Sequence, residues 1–197
     1  ARSSSTFLVD TSGPRPWVPQ TTTAHPTASD SMAQREADCL YRNVNGVYQK
    51  VSPAPLDTER LDGRGIVALD VLNTGVPTLV VANVGQRAQV YRVTPPAANR
   101  WIGLSLAGTK SNRDAIGARV TVDLGDKTLV REVHPTNGYL SQHDRRLLVG
   151  IGPRDAVRSV TIRWPSGIEQ RLDAPAVNRY HEVVEAAPAG GLLTQLR

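Results

Sequence analysis

The stretch that decides the fold is SNRDAIGARV at residues 111–120, and it is followed by GYLSQ at residues 138–142 and RWPSG at residues 163–167. Each motif lies beside a short apolar run with an alternating pattern, which is typical of β-strands that bury one face. Gly, Pro and Asp residues, which favour turns, separate the runs. The arrangement predicts an all-β fold built from short strands.

Seven short runs, spaced about ten residues apart, follow the proline pair at residues 95–96. They predict strands at residues 101–106, 118–124, 128–134, 146–151, 159–164, 169–172 and 180–184. Short strands at this spacing indicate a β-sandwich or Greek-key domain. We therefore expect a sandwich-like domain at residues 99–185 and a flexible tail at residues 186–197.

The sequence pattern before this domain predicts a smaller β unit at residues 37–95. Its strands are expected at residues 40–43, 47–51, 65–70, 78–83 and 88–93, with a hairpin turn at Asn45-Gly46. Residues 1–36 are rich in Ser, Thr and Pro, which predicts an extended segment with one short strand at residues 7–9. Trp17 is expected to anchor this segment or to contact a partner.

Composition and charge restrict the classes of function. The chain has 197 residues and a formal net charge of +5, with 20 Arg and 3 Lys as its cations. Nucleic-acid binding would require clustered basic residues with interleaved aromatics, and this sequence has neither. No apolar run has the length of a transmembrane helix, and the single cysteine, Cys39, excludes an intrachain disulfide. Docking on an acidic protein surface or an anionic lipid face stays open.

Two groups of residues have the side chains of a reactive site. Ser141, His143 and Asp144 are the residue types of a catalytic triad, but they are nearly adjacent, whereas a triad joins separate elements. His134 and His143, with Glu132 and Asp144, would suit zinc or iron if their strands paired. Because neither pattern is specific, we predict no catalytic residue, no metal and no cofactor.

The SNRD segment has two interpretations. In the first, Asp114 and Glu132 pair internally with the two arginines of the motif and fasten the sandwich. In the second, those arginines belong to a polar surface that meets a partner or a glycan. The predicted partner-binding residues are Arg113, Arg119, Tyr139, Gln142 and Trp17.

The order of these motifs resembles the ASPIC/UnbV family, which is named in part for cartilage acidic protein. The resemblance covers Trp101 to Glu185 and is carried by residues 112–120, 131–133, 138–142 and 163–167. It implies an extracytoplasmic module (periplasmic, secreted or at the cell surface) that binds other protein subunits as an accessory or stabilising part of a larger assembly, including a membrane-associated complex. UnbV-type proteins also occur with enediyne natural-product pathways, so an enzyme-like biosynthetic protein is an alternative. A glycan-binding module is a third reading.

Residues 37–95 resemble an FG-GAP/VCBS repeat, the blade unit of integrin-like β-propellers. The matching stretches are residues 40–43, 63–65 and 81–83. Such blades carry a calcium loop of the form Asp-x-Asp-x-Asp-Gly-x-x-Asp. Here only Asp70 and Gly75 match, and with Asn73 between them most of the negative charge that calcium needs is missing. The resemblance implies a degenerate loop without calcium, in a partial blade that is a remnant or the end of a larger array.

Overall fold

The computed structural model describes residues 6–9, 36–44, 46–51, 60–136 and 138–187. These residues divide into two compact units, of which the first lies within Ala1–Val71, Val76–Thr94 and Thr136–Asp144 and the second within Leu72–Gly75, Pro95–Pro135 and Arg145–Arg197. Trp17, most of the predicted N-terminal segment and residues 188–197 of the predicted tail lie outside the described residues.

The first unit contains short strands in three small sheets. Its strands are β1 (Thr6–Val9), β2 (Glu36–Ala37), β3 (Cys39–Val44), β4 (Val47–Lys50), β5 (Arg60–Leu61), β6 (Gly63–Leu69), β7 (Thr78–Asn83) and β8 (Gln89–Arg92). Strand β3 lies between β1, which is parallel to it, and β4, which is antiparallel. Strands β6, β7 and β8 form an antiparallel meander, and β2 pairs with β5. The predicted hairpins at residues 40–51 and 65–93 are therefore present.

The second unit contains the strands predicted for the sandwich-like domain. They are β9 (Arg100–Ala107), β10 (Arg119–Asp123), β11 (Thr128–Glu132), β12 (Leu147–Gly152), β13 (Ser159–Arg163), β14 (Glu169–Asp173) and β15 (Tyr180–Val184). One sheet has the order β11-β10-β13-β14 and the other has the order β12-β9-β15. Strand β15 is parallel to β9, and the other pairs are antiparallel.

The two sheets of the second unit enclose a common core made mostly of branched aliphatic side chains. In β10, Val120 and Val122 are buried while Arg119 is exposed, as expected for a strand that presents one face to a core. The core cluster is Ile102, Leu104, Ala115, Ala118, Val120, Val122, Leu129, Val133, Val149, Ile151, Val157, Val160, Ile162, Trp164 and Val183. No helix occurs among the described residues, and the prediction of an all-β fold with a sandwich-like domain is confirmed.

Candidate functional site

Glu185 follows β15 and joins two of the sequence motifs in the second unit. Its side chain accepts hydrogen bonds from the backbone amides of Thr109, Lys110 and Ser111 at 2.8, 2.8 and 2.7 Å. The hydroxyls of Ser111 and Ser166 donate to the same carboxylate at 2.8 and 2.5 Å. The backbone amide of Ser166 in turn donates to the Ser111 hydroxyl at 3.0 Å. The SNRD and RWPSG motifs therefore meet at one buried carboxylate.

The environment of Glu185 fixes its charge. The residue is only 2% exposed. Burial alone would raise the pKa of its carboxyl group, but hydrogen bonds from Ser166, Ser111 and Thr109 outweigh burial and lower that pKa to about 2. A carboxylate with this pKa stays ionised near neutral pH and is a poor proton acceptor. Its role here is to fasten the end of β15 to two loops.

The SNRD turn has an internal hydrogen-bond network of its own. The Asn112 side chain accepts from the Ile116 amide and donates to the Ile116 carbonyl, both at 2.8 Å. Ala115 has φ of 54°, a left-handed conformation that is uncommon for a residue with a side chain. Gly108 lies so close to Asn112 that an added Cβ would be 2.1 Å from the Asn112 carbonyl oxygen. The turn is thus held by backbone and amide contacts.

The predicted pairing of Asp114 with the arginines of its own motif is wrong. Asp114 forms its ion pair with Arg145. Arg119 is exposed on β10, directly opposite Glu132 of β11 and Arg163 of β13. Within the motif, Ser111 makes the contacts to Glu185 and Ser166, whereas Asn112 stabilises the turn itself.

The GYLSQ motif belongs to a loop of the first unit that is anchored on β6. His143 Nδ1 accepts a hydrogen bond of 2.9 Å from the Ala68 amide. Gly65 faces Ser141 closely enough that an added Cβ would lie 2.8 Å from the Ser141 hydroxyl. Burial lowers the pKa of His143, which favours the neutral ring that this hydrogen bond requires.

The tip of the same loop presents two large side chains to solvent. Tyr139 is 67% exposed and Leu140 is 87% exposed. Leu140 has φ of 47°, a strained conformation for a branched side chain. Gln142 is exposed as well. The loop therefore combines an anchored base with an exposed apolar tip.

The structure divides the predicted partner-binding residues between the two units. Arg113 and Arg119 belong to the second unit, and Tyr139 and Gln142 belong to the first. All four are exposed. The fifth, Trp17, lies outside the described residues.

The triad and metal hypotheses do not correspond to convergent sites. The Ser141 hydroxyl donates to the Tyr139 carbonyl at 2.6 Å, while His143 Nδ1 is used by Ala68, so these groups do not form a relay. His134 Nδ1 lies 4.0 Å from a carboxylate oxygen of Glu132, and both residues belong to the second unit. Among the residues that the structure describes, no group of three or more His, Cys, Asp or Glu side chains could hold a metal ion.

The three residues that were compared with a calcium loop, Asp70, Asn73 and Gly75, have different surroundings. The Asn73 amide oxygen accepts a 2.6 Å hydrogen bond from Arg146. The Arg146 guanidinium also lies 4.4 Å from the centre of the Tyr180 ring. Gly75 packs on the Trp101 indole, where an added Cβ would be 2.1 Å from Nε1. Asp70 is buried. The side-chain oxygen of Asn73, an atom of the kind that binds calcium, thus accepts a hydrogen bond from Arg146.

Sequence reasoning missed Glu185, Asn73 with Arg146, and the anchoring role of His143. The partners of Glu185 are 74 to 76 positions away at residues 109–111, and Ser166 is 19 positions away. Local patterns carry no signal for such contacts. The one available sign was a serine in each of two turn motifs, because turn serines often hydrogen-bond nearby groups.

One comparison with known protein families matches a part of the chain. No curated protein matches the chain. The described part of the chain contains no helix with the length and apolar character required to cross a bilayer. Strand β9 precedes the stretch that a family model recognises, although it forms the centre of a sheet in the same unit. Residues 108–189 match the model of the family described as ASPIC and UnbV, and this part of the chain is therefore similar to that family.

Proposed function

We propose that this protein is a non-catalytic, extracytoplasmic protein-interaction module that packs as an accessory or stabilising subunit on a larger assembly. The observation that carries the proposal is the loop tip formed by Tyr139 and Leu140. Both side chains are strongly exposed, although the base of their loop is anchored to β6 by His143. Exposed apolar side chains on an anchored loop favour a partner that removes them from water.

The distribution of exposed apolar residues in the first unit supports the same proposal. Its large exposed apolar residues, among those described, are Val47, Tyr48, Val71, Val84, Val90, Val93, Tyr139 and Leu140. The corresponding residues of the second unit are Leu72 and Val184. A partner that covers part of the first unit would bury apolar surface that the unit itself leaves in water.

The extracytoplasmic location and the membership of a larger, including membrane-associated, complex are parts of this proposal that rest on the ASPIC/UnbV resemblance. Fractionation of the native source would test the location directly. Recovery of the protein in the cytoplasmic fraction would contradict it.

The interaction is tested by changing the loop tip alone. The double variant Tyr139→Ser, Leu140→Ser should fold normally, because both side chains are exposed, and should lose a stoichiometric partner in cross-linked pull-downs from the native source. Val184→Ser is the matched control, since it removes an exposed apolar side chain from the second unit. Equal partner recovery with the double variant and the wild type would contradict the proposal.

Glycan binding is the second candidate, and the exposure of the Tyr139 ring favours it, because sugars stack on exposed aromatic faces. Trp101 is a weaker candidate for this role, since its ring packs edge-on against Tyr180 with 5.1 Å between ring centres. Binding to an array of immobilised glycans that Tyr139→Ser abolishes would replace the protein partner with a sugar. Absence of binding by the wild type would dismiss this candidate.

A further inference from the structure

Two arginines, Arg119 and Arg163, lie side by side on the outer face of the four-stranded sheet of the second unit. Arg119 on β10 is directly opposite Arg163 on β13, and both residues are exposed. Residues opposite each other on neighbouring strands have Cβ atoms about 5 Å apart. Within the described part of the chain, neither guanidinium forms an ion pair or a hydrogen bond. This arginine pair therefore holds two unpaired positive charges close together.

Other arginines of the second unit use an aspartate as their partner. The ion pairs are Arg100 with Asp155, Arg145 with Asp114, Arg154 with Asp126, Arg158 with Asp123, and Arg171 with Asp173. Like charges directly opposite each other on a sheet lower its stability. The arginine pair thus differs from arginines that contact their own domain, and its N–H donors are available to a ligand.

The strands on either side of the arginine pair supply one carboxylate each. Glu132 on β11 is opposite Arg119, and Glu169 on β14 is opposite Arg163. The row across the sheet therefore has the charge order negative, positive, positive, negative. A polyanion that extends along this row would be attracted at its middle and repelled at both ends. A compact group with one negative charge, placed between the two guanidiniums, avoids this repulsion.

We propose that the arginine pair binds one carboxylate group of an acidic side chain on the partner protein. Each guanidinium is a planar fork of N–H donors that matches the two oxygens of a carboxylate. Thr121 and Thr161, which are opposite each other in the next row of the same face, place hydroxyl groups beside the pair. This inference rests on the proposed function, because it names the chemical group by which the partner is held.

The first experiment uses the full chain and a blocked tripeptide, acetyl-Gly-Glu-Gly-amide, which has a single carboxylate. The arginine side-chain NMR signals of Arg119 and Arg163 should shift as this peptide is added, and the shifts should decrease as salt concentration rises. The matched peptide with glutamine in place of glutamate has no charge and should leave both signals unchanged. Equal shifts with the two peptides, or no shift with the glutamate peptide, would overturn the proposal.

Variants test each member of the arginine pair separately. Arg119→Gln and Arg163→Gln should each bind the glutamate peptide about fivefold to tenfold more weakly than the wild type, because charge-assisted hydrogen bonds are lost. Arg163→Lys keeps the charge without the planar fork and should give an intermediate affinity. These side chains are exposed, so the variants should fold normally.

Arg171→Gln is the matched control for these variants. Arg171 is exposed on the same face of the same sheet, opposite Thr161, but it donates a 2.6 Å hydrogen bond to Asp173. We expect its substitution to weaken peptide binding by less than about twofold. A loss equal to that of Arg163→Gln would indicate a general effect of net charge and would contradict binding at the arginine pair.

A second probe distinguishes a protein carboxylate from an anionic sugar. A heparin tetrasaccharide carries several sulfate and carboxylate groups along one chain. Because Glu132 and Glu169 flank the arginine pair, this probe should bind there no more tightly than the glutamate peptide. Tighter binding that both arginine-to-glutamine variants reduce would assign the site to an anionic glycan and would overturn the protein partner proposed for it.

The two proposals can fail separately. In the cross-linked pull-down, the double variant Arg119→Gln, Arg163→Gln should recover less of the partner than Arg171→Gln does. Equal recovery would overturn the assignment of the bound carboxylate to the partner, while the proposed function would stand. Failure of the wild-type chain to recover any stoichiometric partner would contradict the proposed function. The peptide titration requires no partner and decides by itself whether the arginine pair binds a carboxylate.

Discussion

The two units of this chain bury apolar side chains to very different extents. The second unit encloses a continuous apolar core between two sheets, whereas the first buries only Cys39 and Val81 among its described apolar residues. Strands of similar length thus form a continuous core in one unit and bury few apolar side chains in the other. The second unit therefore has a buried core of its own, while the first leaves more of its described large apolar side chains exposed to water.

The units also differ in how they bury a carboxyl group. Burial raises the pKa of Asp38 in the first unit to about 6. In the second unit, hydrogen bonds outweigh burial and lower the pKa of Glu185 to about 2. The difference lies in the donors, since loop amides and two serine hydroxyls converge on Glu185. Folding therefore favours the ionised form of one group and the neutral form of the other.

The largest expected effect is at the core of the second unit. Trp164 is 2% exposed, and its indole Nε1 donates to the Gln170 side chain at 3.2 Å. Trp164→Ala should lower the free energy of unfolding by about 3–5 kcal/mol, because it removes a large buried ring. Urea denaturation followed by circular dichroism measures this loss. A change below about 1 kcal/mol would mean that this core contributes little.

A matched pair of valines compares the units directly. Val160 on β13 is fully buried, whereas Val90 on β8 is 66% exposed. Val160→Ala should cost about 2 kcal/mol through lost burial and the remaining cavity. Val90→Ala should change the stability by less than about 0.5 kcal/mol. Similar losses of unfolding free energy for the two variants, measured by the same denaturation experiment, would contradict the difference in apolar burial between the units.

The buried carboxyl groups predict opposite pH dependences. Folding lowers the pKa of Glu185. The ionised side chain therefore contributes to the stability of the folded protein above about pH 4.5, and this contribution is lost as the pH falls toward about 2. Glu185→Gln should therefore be less stable than the wild type near neutral pH, and the gap should narrow in that acidic range. Thermal unfolding across pH measures the gap. Glu182→Gln, an exposed carboxylate on β15, is the control and should show little difference.

Asp38→Asn supplies the other half of this test. The folded-state pKa of Asp38 is raised from 3.8 to about 6, so the folded protein binds the extra proton between these values and stability falls as pH rises through them. Asp38→Asn should become more stable relative to the wild type over the same rise. If Glu185→Gln and Asp38→Asn responded to pH in the same direction, the contrast between the two carboxyl environments would be wrong.

The smallest expected effect concerns His143. The pKa of His143 is lower in the folded protein than in the unfolded chain. Its contribution to folding stability is therefore complete above pH 6.5. As the pH falls below that value the contribution is lost, because the unfolded chain takes up the proton first. His143→Asn should cost about 1 kcal/mol at neutral pH through the lost Ala68 hydrogen bond. Faster amide exchange at Ala68, measured by NMR, would accompany it. His134→Asn is the control, and unchanged exchange in His143→Asn would contradict the anchoring role.

Much of the fold could be predicted from local pattern, because alternation of apolar and polar residues directly reflects one-sided burial. All the strands of the second unit were predicted within a few residues. The two-residue strands β2 and β5 were not predicted, since their pairing depends on each other and not on a local repeat. The exposed tip at Tyr139 was identified as a candidate, but the anchor that fixes its base was not.

The sequence by itself determined the all-β class, the strand positions and the match of residues 108–189 to the ASPIC/UnbV family model, because each is encoded in short, contiguous patterns. Only the tertiary structure decided what the motifs do. Ser111 and Ser166 meet at Glu185, Asn73 receives Arg146, and His143 binds the backbone of β6. These contacts join residues up to 75 positions apart, and such pairings depend on how the sheets fold together and not on neighbours in the chain.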